Sequence, residues 1–121
     1  MPALNFKKQF MSAVLNGTKC QTIRATRKHP IKVGDALYLY TGMRTKQCLR
    51  LRVTKCTRVE HISINTAFSA GTVRIGPRYL LASEIDAMAR ADGFPSTKSF
   101  MDFFTENHGP NFKGQLIEWN A

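Results

Sequence analysis

Acidic side chains are scarce in this 121-residue chain, with 8 Asp and Glu against 18 Lys and Arg and a formal net charge of +10. Long hydrophobic runs are missing as well. The longest, Ala36 to Tyr40, falls far short of the roughly 20 apolar residues a membrane helix needs. Lys7 and Lys8 stand where a signal peptide would require apolar residues. The expectation is a cytoplasmic protein with no membrane segment. Cysteine is sparse and odd in number: Cys20, Cys48 and Cys56 show no C-x-x-C spacing, which argues against a disulfide framework. No Cys–Cys pair among these and no His–His pair among His29, His61 and His108 has zinc-module spacing, so no metal is expected and the thiols read as free. Also absent are G-x-S-x-G, a Walker loop, H-E-x-x-H and a dinucleotide glycine fingerprint. Repeats, low-complexity tracts and an interdomain linker are lacking too.

What is present suits one domain over residues 1–121. A 43% hydrophobic content fills a core at this length without staples, which excludes disorder and a collagen-like chain. The basic charge is concentrated. Residues 1–60 carry 13 Lys or Arg and 2 acids, net +11, whereas residues 61–121 carry 5 and 6, net −1. A solvated basic face would account for this, but an excess confined to one half also creates a directional field that attracts polyanions. Without an amphipathic membrane helix, nucleic acid is the polyanion expected.

The hydrophobic pattern predicts about five or six mainly antiparallel strands and about three helices. Ala3–Phe6 reads as an edge strand. Phe6, Phe10 and Val14, with Met11 and Leu15 beside them, recur at helical spacing until Asn16-Gly17 closes the helix. Thr18–Arg24 is a turn leading into a strand, Arg27–Pro30 a basic loop, and Ala36–Thr41 a strand with Tyr38 and Tyr40 on one face and Leu37 and Leu39 on the other. Leu49, Leu51 and Val53 alternate with Arg50, Arg52 and Thr54, predicting a dry face and a cationic wet face. Val59–Ile64 is a further strand, and Thr66–Leu81 a hairpin or loop. Ser83 and Asp86 resemble a capping box for a short helix that ends near Asp92-Gly93. A second helix runs from Ser96 to His108-Gly109 with Phe100, Met101, Phe103 and Phe104 inward, and Gln115–Trp119 closes the chain as a strand.

The most suggestive chemistry lies in Gly17-Thr18-Lys19-Cys20-Gln21-Thr22-Ile23-Arg24. A turn delivers an ammonium, and the two-residue period puts Thr22 and Arg24 on one strand face. The trio could hold an anion, or activate a hydroxyl if Lys19 is desolvated enough to act as a base. On spacing alone, a lysine after a capping glycine is more often solvated and a strand threonine more often merely structural.

Phe10-x-x-x-Val14-Leu15-x-Gly17-x-Lys19-x-x-Thr22-Ile23-Arg24, followed by Gly34-Asp35-x-Leu37, resembles the N-terminal signature of the ASCH domain, a PUA-like β-barrel family. Leu39-Tyr40-Thr41-Gly42-x-Arg44-Thr45-Lys46-x-Cys48 is similar to a bacterial and phage-type subgroup. Ala89–Phe94, the Phe-rich helix and Gly114-x-Leu116-Ile117-x-Trp119 resemble the family's C-terminal half. The resemblance implies an α+β barrel with an RNA-binding cleft beside the first helix. One branch hydrolyses the amide of N4-acetylcytidine with a lysine, a threonine and a glutamate. Its lysine, threonine and arginine fall on Lys19, Thr22 and Arg24, and its acid on or near Asp92, with Glu84 as the competing position.

An enzyme of this kind would use Lys19, Thr22 and Asp92 as catalytic residues, with Arg24 near the developing oxyanion. A binding module would instead clamp phosphate or a base edge with Lys19 and Arg24. Arg27, Lys28, Arg44, Lys46, Arg50 and Arg52 would supply further cations, and Tyr40 or Tyr38 a stacking face unless the tyrosines are barrel core. A ribonuclease is a further alternative. The expected partner is RNA or a modified nucleoside, or single-stranded DNA, bound by a monomer without cofactor.

Overall fold

The computed structural model describes residues 2–67 and 71–120. Its strands are β1 (Ala3–Phe6), β2 (Gln21–Ala25), β3 (Ala36–Thr41), β4 (Leu49–Asn65), β5 (Thr72–Ile75), β6 (Arg78–Tyr79) and β7 (Asn111–Trp119). The helices are α1 (Met11–Asn16), entered through a 3-10 turn at Lys8–Phe10, α2 (Ala82–Ala91) and α3 (Thr97–His108). Among the described residues the fold is mixed α+β, with three helices and a seven-stranded sheet. No helix among the described residues is long and apolar enough to cross a membrane.

Strand order runs β1-β3-β4-β5-β6, and β7 pairs with both β2 and β4. All pairings are antiparallel except β1 with β3. The ladder is open, because β1 and β2 each pair on one side only. Between those two edges lie arginines: Arg24 donates to the Asn5 carbonyl at 2.5 Å and Arg27 to the Ala3 carbonyl at 2.6 Å. Side chains thus occupy the carbonyls that a neighbouring strand would otherwise satisfy.

Several sequence expectations are corrected. Phe6 belongs to β1 and not to the first helix, and Leu15 is exposed, so the inward stripe narrows to Phe10 and Val14 with Met11 half-buried. The two strands expected at 49–54 and 59–64 are one 17-residue strand that pairs first with β3 and then with β7. β7 starts four residues earlier than expected, at Asn111. The expected hairpin in 66–81 is β5–β6, turning at Gly76-Pro77, with residues 68–70 outside the described residues.

The alternation expected on β4 holds at the exposed Arg50 and the buried Leu51 and breaks on either side of them. The register shifts between Leu39 and Tyr40, a β-bulge that inverts the parity of the facing strand. Arg52 and Thr54 therefore pair with the fully buried Leu39 and Leu37, while Val53 pairs with the half-buried Tyr38 and stays exposed, as does Leu49. Arg52 lies half-buried with its guanidinium donating to the Leu15 carbonyl at 3.2 Å, where a cation suits a helix C-terminus. Of the expected wet-face arginines only Arg50 is exposed.

The cap of α2 is shifted as well. Leu81 is the N-cap residue, and its N–H donates to Glu84 at 2.9 Å, whereas Asp86 pairs with Arg90 on the helix surface. The N-cap of α3 is Ser96, whose hydroxyl accepts the Ser99 N–H. The buried side chains form one contiguous cluster, with Phe100, Phe104, Leu37, Ile64 and Ile117 at its centre and Trp119 edge-on to Phe6.

Candidate functional site

Lys19 points inward because of the turn that precedes it. Gly17 ends α1 in the left-handed conformation at φ 81°, and the Lys19 N–H donates to the Ala13 carbonyl at 3.0 Å. Asn16 accepts from the Thr18 N–H and hydroxyl, which holds the turn. The side chain is thereby carried under the rings of Phe10 and Phe6, with the ammonium 4.8 and 5.7 Å from their centroids. Only 2% of the residue remains accessible.

Asp92 approaches from the opposite side. It follows the last turn of α2, where its N–H donates to the Met88 carbonyl. Gly93 then turns the chain at φ 97°, and a Cβ there would press into the Phe10 ring at 2.9 Å. The Lys19 ammonium donates to the Asp92 carboxylate at 3.0 Å and to its main-chain carbonyl at 2.5 Å. Gln21 donates its side-chain amide to the same carboxylate at 3.3 Å and to the Met88 carbonyl at 3.4 Å.

Burial pushes the proton affinity of Lys19 below its ordinary value and that of Asp92 above its own, in each case against the pull of the partner's charge. The two affinities converge. The hydrogen bond they share is the path along which a proton can move within the pair.

On β2, Thr22 and Arg24 share a face as the strand period requires. The Arg24 Nε donates to the Thr22 hydroxyl oxygen at 3.0 Å, and the guanidinium lies 4.8 Å over Phe6. Burial lowers the Arg24 proton affinity to about 10, so it remains a cation at neutral pH. A cation fixed on the Thr22 oxygen favours alkoxide character there. Lys19, Thr22, Arg24 and Asp92 together line a cleft of about 340 Å3, whose other walls include Asn5, Phe6, Lys7, Phe94, Asn107 and His108. That volume suits a small aromatic ligand.

The other expected residues lie apart from this cleft. Arg27 and Lys28, with His29 and Lys32, border a separate cavity of about 680 Å3 beside Pro2. Arg44 and Lys46 are exposed in the β3–β4 turn, Arg44 in the left-handed region at φ 67°. Tyr40 sits half-buried across from Arg50 on the sheet's outer face, and Tyr38 shares that face. Neither tyrosine enters the leucine core. Glu84 is bound to Arg78 on the surface and has no contact with Lys19.

Sequence reasoning missed Gln21, Asn5, Lys7 and His108. For Gln21 the signal was its place between Lys19 and Thr22, and its burial at the start of β2 is seen only in the fold. The other three come from distant elements that only the fold brings to the cleft. No family model matches the chain, and no curated protein or solved structure matches it either.

Proposed function

We propose that the chain is an RNA- or nucleoside-binding domain of ASCH type whose cleft hydrolyses the amide of an N4-acylated cytidine. The observation that carries this reading is the convergence, in one cleft, of a buried Lys19–Asp92 pair with a threonine hydroxyl held by Arg24. The barrel reading rests on the two open sheet edges, β1 and β2, bridged by Arg24 and Arg27. A cytosolic setting accords with three free thiols among the described residues.

In this scheme the Thr22 oxygen attacks the acyl carbonyl carbon, and its proton passes to the neutral amine of Lys19 once Asp92 has taken the ammonium's extra proton. Arg24 faces the oxyanion that develops. Collapse of the intermediate breaks the C–N bond, and Lys19 returns the proton to the departing N4 amine. Water then cleaves the acyl ester on Thr22, releasing the carboxylic acid and restoring the hydroxyl. Thr22 and Lys19 share no hydrogen bond, and such contacts commonly tighten only with substrate bound.

The test is acetate release from N4-acetylcytidine by the purified protein. Thr22→Val, which keeps the shape and removes the nucleophile, should lower turnover at least about a hundredfold, while Thr22→Ser retains it. A second reading, binding without turnover, is favoured by the engagement of Lys19 with Asp92 and of Thr22 with Arg24. Nucleoside binding without acetate release at high enzyme concentration would select it.

A further inference from the structure

We infer that the cleft's ligand carries a phosphate, and that Lys7 selects it, so that a cytidine nucleotide is bound in preference to the nucleoside. The inference rests on the reading of the cleft as a base site. Three cations wall the cleft, and two are committed: Lys19 to Asp92, and Arg24 to Thr22 and the Asn5 carbonyl. Lys7 is exposed at the rim. Its ammonium lies 5.0 Å from the Phe103 ring centroid and 3.5 Å from the Asn107 amide oxygen, with no carboxylate at ion-pair distance among the described residues. An ammonium has three donors, so this one can meet an anionic oxygen at the mouth.

A second cavity supports the assignment independently. Asn5, Phe6 and Lys7, which wall the cleft, also wall a groove of about 680 Å3. Lys8, Met11, Thr41 and Leu49 border that groove, and no acidic residue does. Leu49 is 50% accessible there, an apolar surface beside a cation. Asn5 accepts the Met43 N–H through its side-chain oxygen, which leaves the amide NH2 available. A base in the inner cleft, its phosphate over Lys7 and the next nucleotide in the outer groove would follow one continuous path.

The experiment is equilibrium binding of the full chain to three unacylated ligands: cytidine, cytidine 5′-monophosphate and the trinucleotide UCU. The monophosphate should bind about tenfold more tightly than cytidine, and Lys7→Gln should bring it down to the nucleoside's affinity. A further gain for UCU that Leu49→Glu removes identifies a strand as the source of the phosphate; equal affinity for UCU and the monophosphate identifies a free nucleotide. Equal binding of cytidine and its monophosphate, or a Lys7→Gln loss as large for cytidine as for the monophosphate, overturns the inference while leaving the base site standing. Failure of all three ligands to bind overturns the inference as well, and acetate release from N4-acetylcytidine then decides the base site separately.

Discussion

A buried ion pair adds little net stability, because desolvating two charges offsets most of their attraction, yet removing one partner strands the other. Lys19 and Asp92 are in that situation. Asp92→Asn or Lys19→Met alone should each cost about 3–5 kcal/mol in urea unfolding, whereas the double variant Lys19→Met/Asp92→Leu should recover most of that loss. The pH dependence has two opposed arms. Because Asp92 holds its proton more tightly when folded, the native chain binds more protons between 3.8 and the raised value, and stability falls as pH rises through that window. Because Lys19 holds its proton less tightly when folded, the unfolded chain binds more protons between the lowered value and 10.5, and stability rises with pH there. Unfolding measured across pH should show both slopes in the natural chain and neither in the double variant.

Placement of Arg24 depends on how closely β2 approaches β7. The chain has glycine at position 114, opposite Ala25, and a Cβ there would overlap the Arg24 carbonyl oxygen and crowd the Phe112 ring at 2.7 Å. Gly114→Ala should therefore destabilise the protein by about 1–3 kcal/mol or more in thermal or urea unfolding. It should also weaken the Arg24 contact with Thr22, because β2 must move away. The helix ends at Gly17 and Gly109 were legible in sequence, since both glycines adopt positive φ as closing residues do. The faces of β4 were not. A one-residue bulge opposite Leu39 inverts the alternation from Arg52 to Thr54 while Arg50 and Leu51 keep it, and no local composition marks it.

For the whole molecule, the consequence of the charge distribution is salt dependence. Under the RNA-binding proposal, phosphate contacts release counterions, so affinity should fall steeply with ionic strength. Arg50 and Lys46 are exposed, whereas Arg52 is engaged at the end of α1. Arg50→Glu with Lys46→Glu should accordingly weaken binding and flatten the slope of log affinity against log salt by about two contacts' worth. An unchanged slope in filter binding or fluorescence anisotropy would place the RNA track elsewhere, toward Arg27 and Lys28.

Composition and periodicity alone determined the mixed α+β class, the closing glycines of α1 and α3, the core-facing phenylalanines of α3 and the basic first half, because each depends on residues close together in the chain. Lys19, Thr22 and Arg24 lie within six residues, but spacing alone favoured a solvated lysine and a structural threonine, and it was the resemblance that grouped them. Only the tertiary structure decided between Asp92 and Glu84 as the acid beside Lys19, since that pairing joins residues 73 apart and depends on where α2 ends. It likewise decided that Arg24 and Arg27 bridge two sheet edges and that Lys7 stands at the mouth of the cleft. These placements follow from packing between distant elements, which local pattern does not encode.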